Sequence, residues 1–279
     1  MLKDVTFGQY YPVKSFVHNC DPRIKILFLI GFIVAVFLAC NFYGLALCAA
    51  VLVIGILCSR VPVQSILRSI KGILFLLAFT AILNLFFYAG ETTVVIGGIA
   101  LQWGIVNITY EGIYFMLFLM LRLFMLILSS SLLTLTTTPV NLTDGIESLL
   151  TPLKWLRFPV HVLALVMSIA LRMIPSLMDE TDRIMNAQKA RGADFEHGNI
   201  FKRVKAIVPI LIPLLIGAMR RAEELGDAMD ARCYTGSENR TKYKKMSLTW
   251  RDLIVTLLMS GLIVGVVYLN VTGFLAVVL

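Results

Sequence analysis

Apolar residues along this chain gather into runs long enough to cross a lipid bilayer, broken by short polar turns and by one long stretch of mixed charge. A hydrocarbon core ~30 Å thick needs about 20 apolar residues in a helix. Four runs meet or approach that need: Ile24–Tyr43, Gly44–Ser59, Ile70–Ala89 and Gly112–Thr138. A fifth, Leu253–Leu279, carries Gly261 and Gly265 four apart, a spacing that permits close helix contact and that also arises by chance. Between the third and fourth runs, Thr92–Ile96 and Ile99–Trp103 are apolar or β-branched and flank Gly97-Gly98. That pattern predicts a short hairpin, read as a cap over the helix ends.

Two further runs, Val160–Met178 and Ile207–Met219, are ambiguous by length, and they contain Arg172, Pro175, Pro209 and Pro213. Charge separates the readings, because basic residues concentrate on the cytoplasmic side. With the N-terminus inside, Lys14, Arg23, Lys25, Arg60, Arg68 and Lys71 are all cytoplasmic, and residues 89–110, outside, hold no Lys or Arg. Inserting the two ambiguous runs as a hairpin would put Arg183, Lys189, Arg191, Lys202, Arg203 and Lys205 outside. They are therefore read as cytoplasmic helices. The expected fold is an all-α integral membrane protein with about five transmembrane helices and a module of amphipathic helices inserted before the last. Residues 1–138 carry four spans, 139–251 form the cytoplasmic module, and 252–279 are the last span, with the C-terminus extracellular.

Composition agrees with a membrane protein. The 279 residues are 58% hydrophobic and 15% charged, with a mean hydropathy of +0.85. A soluble domain carries about 25% charged residues. Soluble, disordered, collagenous and disulfide-scaffold classes are excluded. The first twenty residues are polar and lack the apolar core of a cleavable signal, so the N-terminus is expected to be retained. The net charge of +8 speaks first to orientation in a bilayer, and no nucleic-acid partner is expected. Cys20, Cys40, Cys48, Cys58 and Cys233 form no C-x-x-C pair, and His18, His161 and His197 stand apart from them and from one another, so no metal site is expected.

The module holds 17 of the 25 basic and 12 of the 17 acidic residues. Its first helix is apolar at Val160, Leu163, Val166, Met167, Ile169, Ala170 and Met173, too broadly for a solvated helix, and turns charged from Asp179. It closes on Ala190-Arg191-Gly192, and 41 residues later a second mixed-charge helix closes on Ala231-Arg232-Cys233. An aromatic follows each, Phe195 and Tyr234. One such end reads as ordinary capping, since a cation suits the negative pole of a helix and glycine suits the left-handed position after it. Two matched, arginine-tipped ends are what docking onto two similar acidic grooves requires.

Internal chemistry finds little support. With no Gly-Lys dipeptide there is no phosphate loop, so any ATP is bound by another subunit. Asp179-x-x-Asp182 and Asp227-x-x-Asp230 each put two carboxylates on one helix face, where a lipid-diphosphate enzyme would hold Mg²⁺. Their interleaving with Arg183, Arg220 and Arg221 is explained better by intrahelical charge pairing. Arg122 lies deep in the fourth span, where it serves function or pairs with polar atoms of a neighbouring helix such as Asn84.

Four segments carry a family resemblance. They are Phe16-Val17-His18 with Asp21-Pro22-Arg23-Ile24-Lys25; Phe158-Pro159-Val160 with Ser168 to Pro175; Asp182-Arg183-Ile184-Met185 with Ala187 to Phe195; and Arg220-Arg221-Ala222 through Ala231-Arg232-Cys233-Tyr234. In the first, Asp21 is placed to cap a helix that begins at Pro22. Together, in this order and over essentially the whole chain, they resemble the transmembrane T component of energy-coupling factor (ECF) transporters. One departure stands out: Cys233 occupies a position where the family usually has glycine, which costs about 1 kcal/mol if the conformation is left-handed.

The resemblance implies a mechanical coupler that is neither catalyst nor substrate binder. Arg191 and Arg232, with Ala190, Gly192, Ala231 and Cys233, would dock onto two cytoplasmic ATPase subunits, which would hold the ATP and Mg²⁺. The apolar faces at Val166, Ala170, Met173, Ile207, Ile210, Leu211 and Leu214 would contact a membrane-embedded S component that binds a vitamin or other micronutrient. No cofactor is expected on this chain. A lipid-diphosphate-processing enzyme and a stand-alone scaffold or permease are the alternatives.

Overall fold

The computed structural model describes residues 10–13, 15–62, 64–66, 74–87, 95–96, 99–100, 102–103, 106–107, 110–156, 159–193, 200–234, 236 and 249–278. The helices are α1 (Pro22–Leu38), α2 (Phe42–Ser59), α3 (Leu74–Phe87), α4 (Tyr110–Thr136), α5 (Pro139–Leu150), α6 (Val160–Ala190), α7 (Ile200–Asp230) and α8 (Trp250–Val278). A 3-10 turn, Thr151–Leu156, follows α5. The chain divides into two compact units, one of residues 8–145 with 246–279 and the other containing 146–245.

In the first unit α1 packs against α8, α4 and α2, and α3 lies along α4. Phe32, Ala35, Val36, Leu45, Cys48, Phe118, Met125 and Val266 are among the buried residues of its core. Asp21 caps α1 as expected: its carboxylate accepts from the Arg23 N–H at 3.1 Å, and Pro22 is the first helical residue. Asp252 ties the start of α8 to the same place, accepting from the N–H groups of Asp21 and Thr249, each at 2.8 Å. Lys25 is buried beside them, and its ammonium donates to the carbonyls of His18 and Thr136. Of the two glycines noted in α8, Gly265 lies against Leu47, while Gly261 faces open space. A closer approach occurs at Gly31, where an added Cβ would run into the Met259 Cε.

Among the described residues, four stretches are long and apolar enough to cross a membrane by length and composition: Phe42–Ser59, Gly112–Thr136, Val162–Ala190 and Trp250–Thr272. The third lies in α6, expected from the charge pattern to be cytoplasmic; apart from Arg172, the charged residues of that helix fall in its second half, from Asp179 on. α1, at 17 residues, is shorter than the expected first span. At ~1.5 Å per residue it reaches roughly 25 Å.

The hairpin forms in reduced extent. β1 (Val95–Ile96) pairs antiparallel with β2 (Ile99–Ala100) across Gly97-Gly98. Thr92–Val94, the rest of the expected first strand, lie outside the described residues. Gln102–Trp103, expected to extend the second strand, instead form β3 and pair with β4 (Val106–Asn107). Two residues, one of them Gly104, separate those strands, a second hairpin-turn spacing that competes for the run. These ladders leave the fold all-α.

Candidate functional site

In the second unit two 31-residue helices, α6 and α7, pack against each other. The run expected at Ile207–Met219 proves to be the middle of α7, because the charged segments flanking it are helical too. Pro209 and Pro213 in α7 and Pro175 in α6 each remove one N–H donor without ending their helix. Across the pair, the Arg221 guanidinium meets the Glu180 carboxylate. Gly217, one turn before Arg221, lies beside the bridge, where a Cβ would make ordinary contact with Glu180 Oε1 at 3.4 Å. Both partners keep about a third of their side chains exposed, so the bridge sets register more than it stabilises.

The two helix ends close by the same hydrogen bonds. At α6, the Gly192 N–H donates to the Lys189 carbonyl and the Ala193 N–H to the Gln188 carbonyl, both at 3.0 Å. At α7, the Cys233 N–H donates to Asp230 at 2.9 Å and the Tyr234 N–H to Met229 at 3.0 Å. Each is a Schellman closure, in which the left-handed residue after the cap turns the chain back on the last carbonyls. Gly192 has φ +85° and Cys233 φ +55°, so the cysteine adopts the conformation its glycine counterpart adopts. Arg191 and Arg232 therefore occupy the same cap position, and both are exposed, as are Ala190, Gly192, Ala231 and Cys233. Phe195, the aromatic expected after the first end, lies outside the described residues.

The apolar contact residues divide. Val166, Ala170, Ile207 and Leu211 are exposed, and Met173 and Leu214 are half-buried. Ile210, alone among them, is buried, at 8% exposed. Ile212, Leu215, Ile216 and Met219, within the run Ile207–Met219 but not named individually as contacts, are exposed too and extend the surface. Reading α7 as one continuous helix, so that positions three and four apart fall on one face, is the signal that finds them.

The carboxylate pairs sit in these mixed-charge helices, Asp179, Asp227 and Asp230 exposed and Asp182 half-buried. Among the described residues no group of three or more His, Cys, Asp or Glu is placed to hold a metal ion. Arg122 does pair with a neighbouring helix, although not through Asn84, whose amide donates to Thr80 within α3. Its guanidinium donates to the Ala39 carbonyl at 2.6 Å and lies over the rings of Phe118 (4.7 Å) and Phe37 (5.8 Å). Ala39 is the C-cap of α1, so the cation satisfies an orphan carbonyl at the negative pole of that helix.

Known proteins resemble this chain over most of its length. The family CbiQ, described as cobalt transport protein, matches residues 13–243. The chain is 46% identical to the energy-coupling factor transporter transmembrane protein EcfT of Ruminiclostridium cellulolyticum over 256 residues, covering 92% of this chain and 93% of that one. It is 47% identical to the protein of the same name from Clostridium kluyveri, covering 92% and 93%. With that of Bacillus subtilis the identity is 45%, covering 91% and 94%.

Proposed function

The chain belongs to the family of energy-coupling factor transporter transmembrane proteins, and from that premise we propose that it transmits ATP-driven closure of two cytoplasmic ATPase subunits to a membrane-embedded S component. It is the transmembrane T component of an ECF transporter, a multi-pass membrane protein and a non-catalytic subunit. The observation that carries the proposal is the pair of identically closed helix ends, each presenting an exposed arginine at its cap.

Arg191, flanked by Ala190 and Gly192, enters a groove on one ATPase; Arg232, flanked by Ala231 and Cys233, enters the matching groove on the other. ATP and Mg²⁺ sit on those partner chains. A Schellman closure suits this role because it ends the helix abruptly and leaves the cap side chain projecting from a stiff base. The Glu180–Arg221 bridge between α6 and α7 lets displacement of one end reach the other helix. The apolar faces, including Val166, Ala170, Ile207 and Leu211, pass the motion to the S component, which binds the vitamin or metal micronutrient. The module faces the cytoplasm, with the N-terminus inside and the C-terminus outside, in keeping with its basic residues.

A pull-down in mild detergent tests the assignment by comparing wild type with the double variant Arg191→Glu, Arg232→Glu. Wild type retains two ATPase subunits, and the variant loses them while keeping its circular dichroism spectrum. A folded double variant that holds both ATPases as firmly as wild type sinks the assignment.

A further inference from the structure

Four helices of the membrane unit converge at one end around a cavity of about 400 Å³. Its wall is apolar, built from Phe28 of α1, Leu52 of α2, Leu132 of α4 and Leu258 of α8. Lys25 reaches it as well, but that ammonium is committed to the carbonyls of His18 and Thr136. The end concerned is the N-terminal side of α1 and α8 and the C-terminal side of α2 and α4, where Arg23, Lys25, Arg60 and Arg251 gather. A second groove, lined by Ser15, Asn19 and Arg60, adjoins the cavity and shares Phe16 and Cys58 with it. The lining thus passes from hydrocarbon to polar atoms to a cation. Arg251 adds a second guanidinium, 6.0 Å from the Phe16 ring centroid.

The carboxylates at this end are already engaged. Asp21 and Asp252 are buried and accept from Arg23, Thr249 and Asp21 N–H groups. Arg60, by contrast, is exposed and has no ion-pair partner among the described residues. It is held at φ +53°, a conformation that costs a non-glycine residue about 1 kcal/mol or more and that clusters at functional sites.

We propose that this end of the bundle binds one anionic phospholipid, an acyl chain in the cavity and the phosphate on Arg60. The cavity falls within the ~300–1,000 Å³ range of ligand sites. Its polar lining groups, Lys25, Ser129 and Thr136, already donate to backbone carbonyls, which leaves little to hold water, and inside a bilayer the medium that fills such a space is hydrocarbon. A free phosphate would use the mouth and leave the cavity empty. A partner helix ~10 Å across would exhaust the cavity within about one turn. A flexible chain with an anionic head matches both parts, and a basic face in the cytoplasmic leaflet is where anionic lipids are drawn.

Cys58, exposed at the junction of cavity and groove, reports occupancy, and Cys40, exposed at the opposite end of the bundle, is the internal control. The full chain is placed in nanodiscs of dioleoylphosphatidylcholine, or of its equimolar mixture with dioleoylphosphatidylglycerol. It is then alkylated with N-ethylmaleimide and read by peptide-resolved mass spectrometry. The proposal expects Cys58, relative to Cys40, to react severalfold more slowly in the anionic discs. Arg60→Gln should restore about fivefold of that rate, the effect of one basic residue at an anionic surface. Gly55→Leu is the second variant; a Cβ at Gly55 makes only ordinary contact with Leu132, at 3.5 Å, and the larger side chain extends toward the cavity. It should lose the lipid adduct that wild type shows in native mass spectrometry.

Equal Cys58 rates in the two bilayers overturn the proposal, as does full protection retained in Arg60→Gln. Protection by inorganic phosphate in the neutral discs overturns it in favour of a free-anion site. Protection that requires an added S component overturns it in favour of a protein occupant.

Discussion

Exchanging the residues at the two helix ends tests the account of their closure. Cys233 stands at φ +55° and Gly192 at φ +85° in otherwise matching hydrogen-bond patterns. A side chain in the left-handed region costs about 1–2 kcal/mol. Introducing glycine returns roughly 0.5–1 kcal/mol of that as extra freedom in the frayed end. Cys233→Gly should therefore stabilise the closure by about 0.5–1 kcal/mol, which slows local opening roughly two- to fivefold. Gly192→Ala should do the reverse by a similar factor. Nothing lies within 4 Å of a Cβ at Gly192, so its cost is conformational and not steric. Hydrogen exchange by mass spectrometry, read at the amides of Cys233 and Tyr234 and at Gly192 and Ala193, measures both. Unchanged or faster exchange in Cys233→Gly, or no loss of protection in Gly192→Ala, would refute the reasoning.

Three other perturbations have defined outcomes. Arg122→Met strips the Ala39 carbonyl of its donor and should cost about 1–3 kcal/mol, read as a lower thermal midpoint of the detergent-solubilised chain, whereas Asn84→Ala, which removes only a bond within α3, should cost less. Gly31→Leu overpacks the α1–α8 contact and should cost about 1–3 kcal/mol, and Met259→Ala, which clears the opposing side chain, should recover much of that in the double variant. Burial pushes the His18 imidazole below its ordinary 6.5, with Lys25 adding to the effect, and its ring nitrogens bond Ser15 Oγ (2.7 Å) and the Tyr11 carbonyl (2.9 Å). A lowered histidine pKa means that the unfolded chain takes up the proton first, so this contribution is complete above pH 6.5 and is lost as pH falls below it. Thermal midpoints measured from pH 7.5 down to 5 should drop more in wild type than in His18→Asn, and parallel curves would remove histidine from the explanation.

Much of the architecture follows from local pattern alone. Apolar runs of bilayer length announce the membrane helices whatever they pack against, because in hydrocarbon a segment must satisfy its own backbone. The N-cap at Asp21 and the equivalent closures after Arg191 and Arg232 are likewise legible, since capping depends on residues within a single turn. What the sequence could not determine was set by contacts between residues far apart in the chain. Asn84 and Ala39 were equally available to Arg122 until α1 and α4 packed together and brought the α1 C-cap within reach. Ile210 resembles its exposed neighbours in composition, and its burial shows only in the folded chain. The partnership of Glu180 with Arg221 and the cavity walled by α1, α2, α4 and α8 arise in the same way. Helix periodicity tells which residues share a face, but which neighbour that face meets depends on the whole chain packing at once.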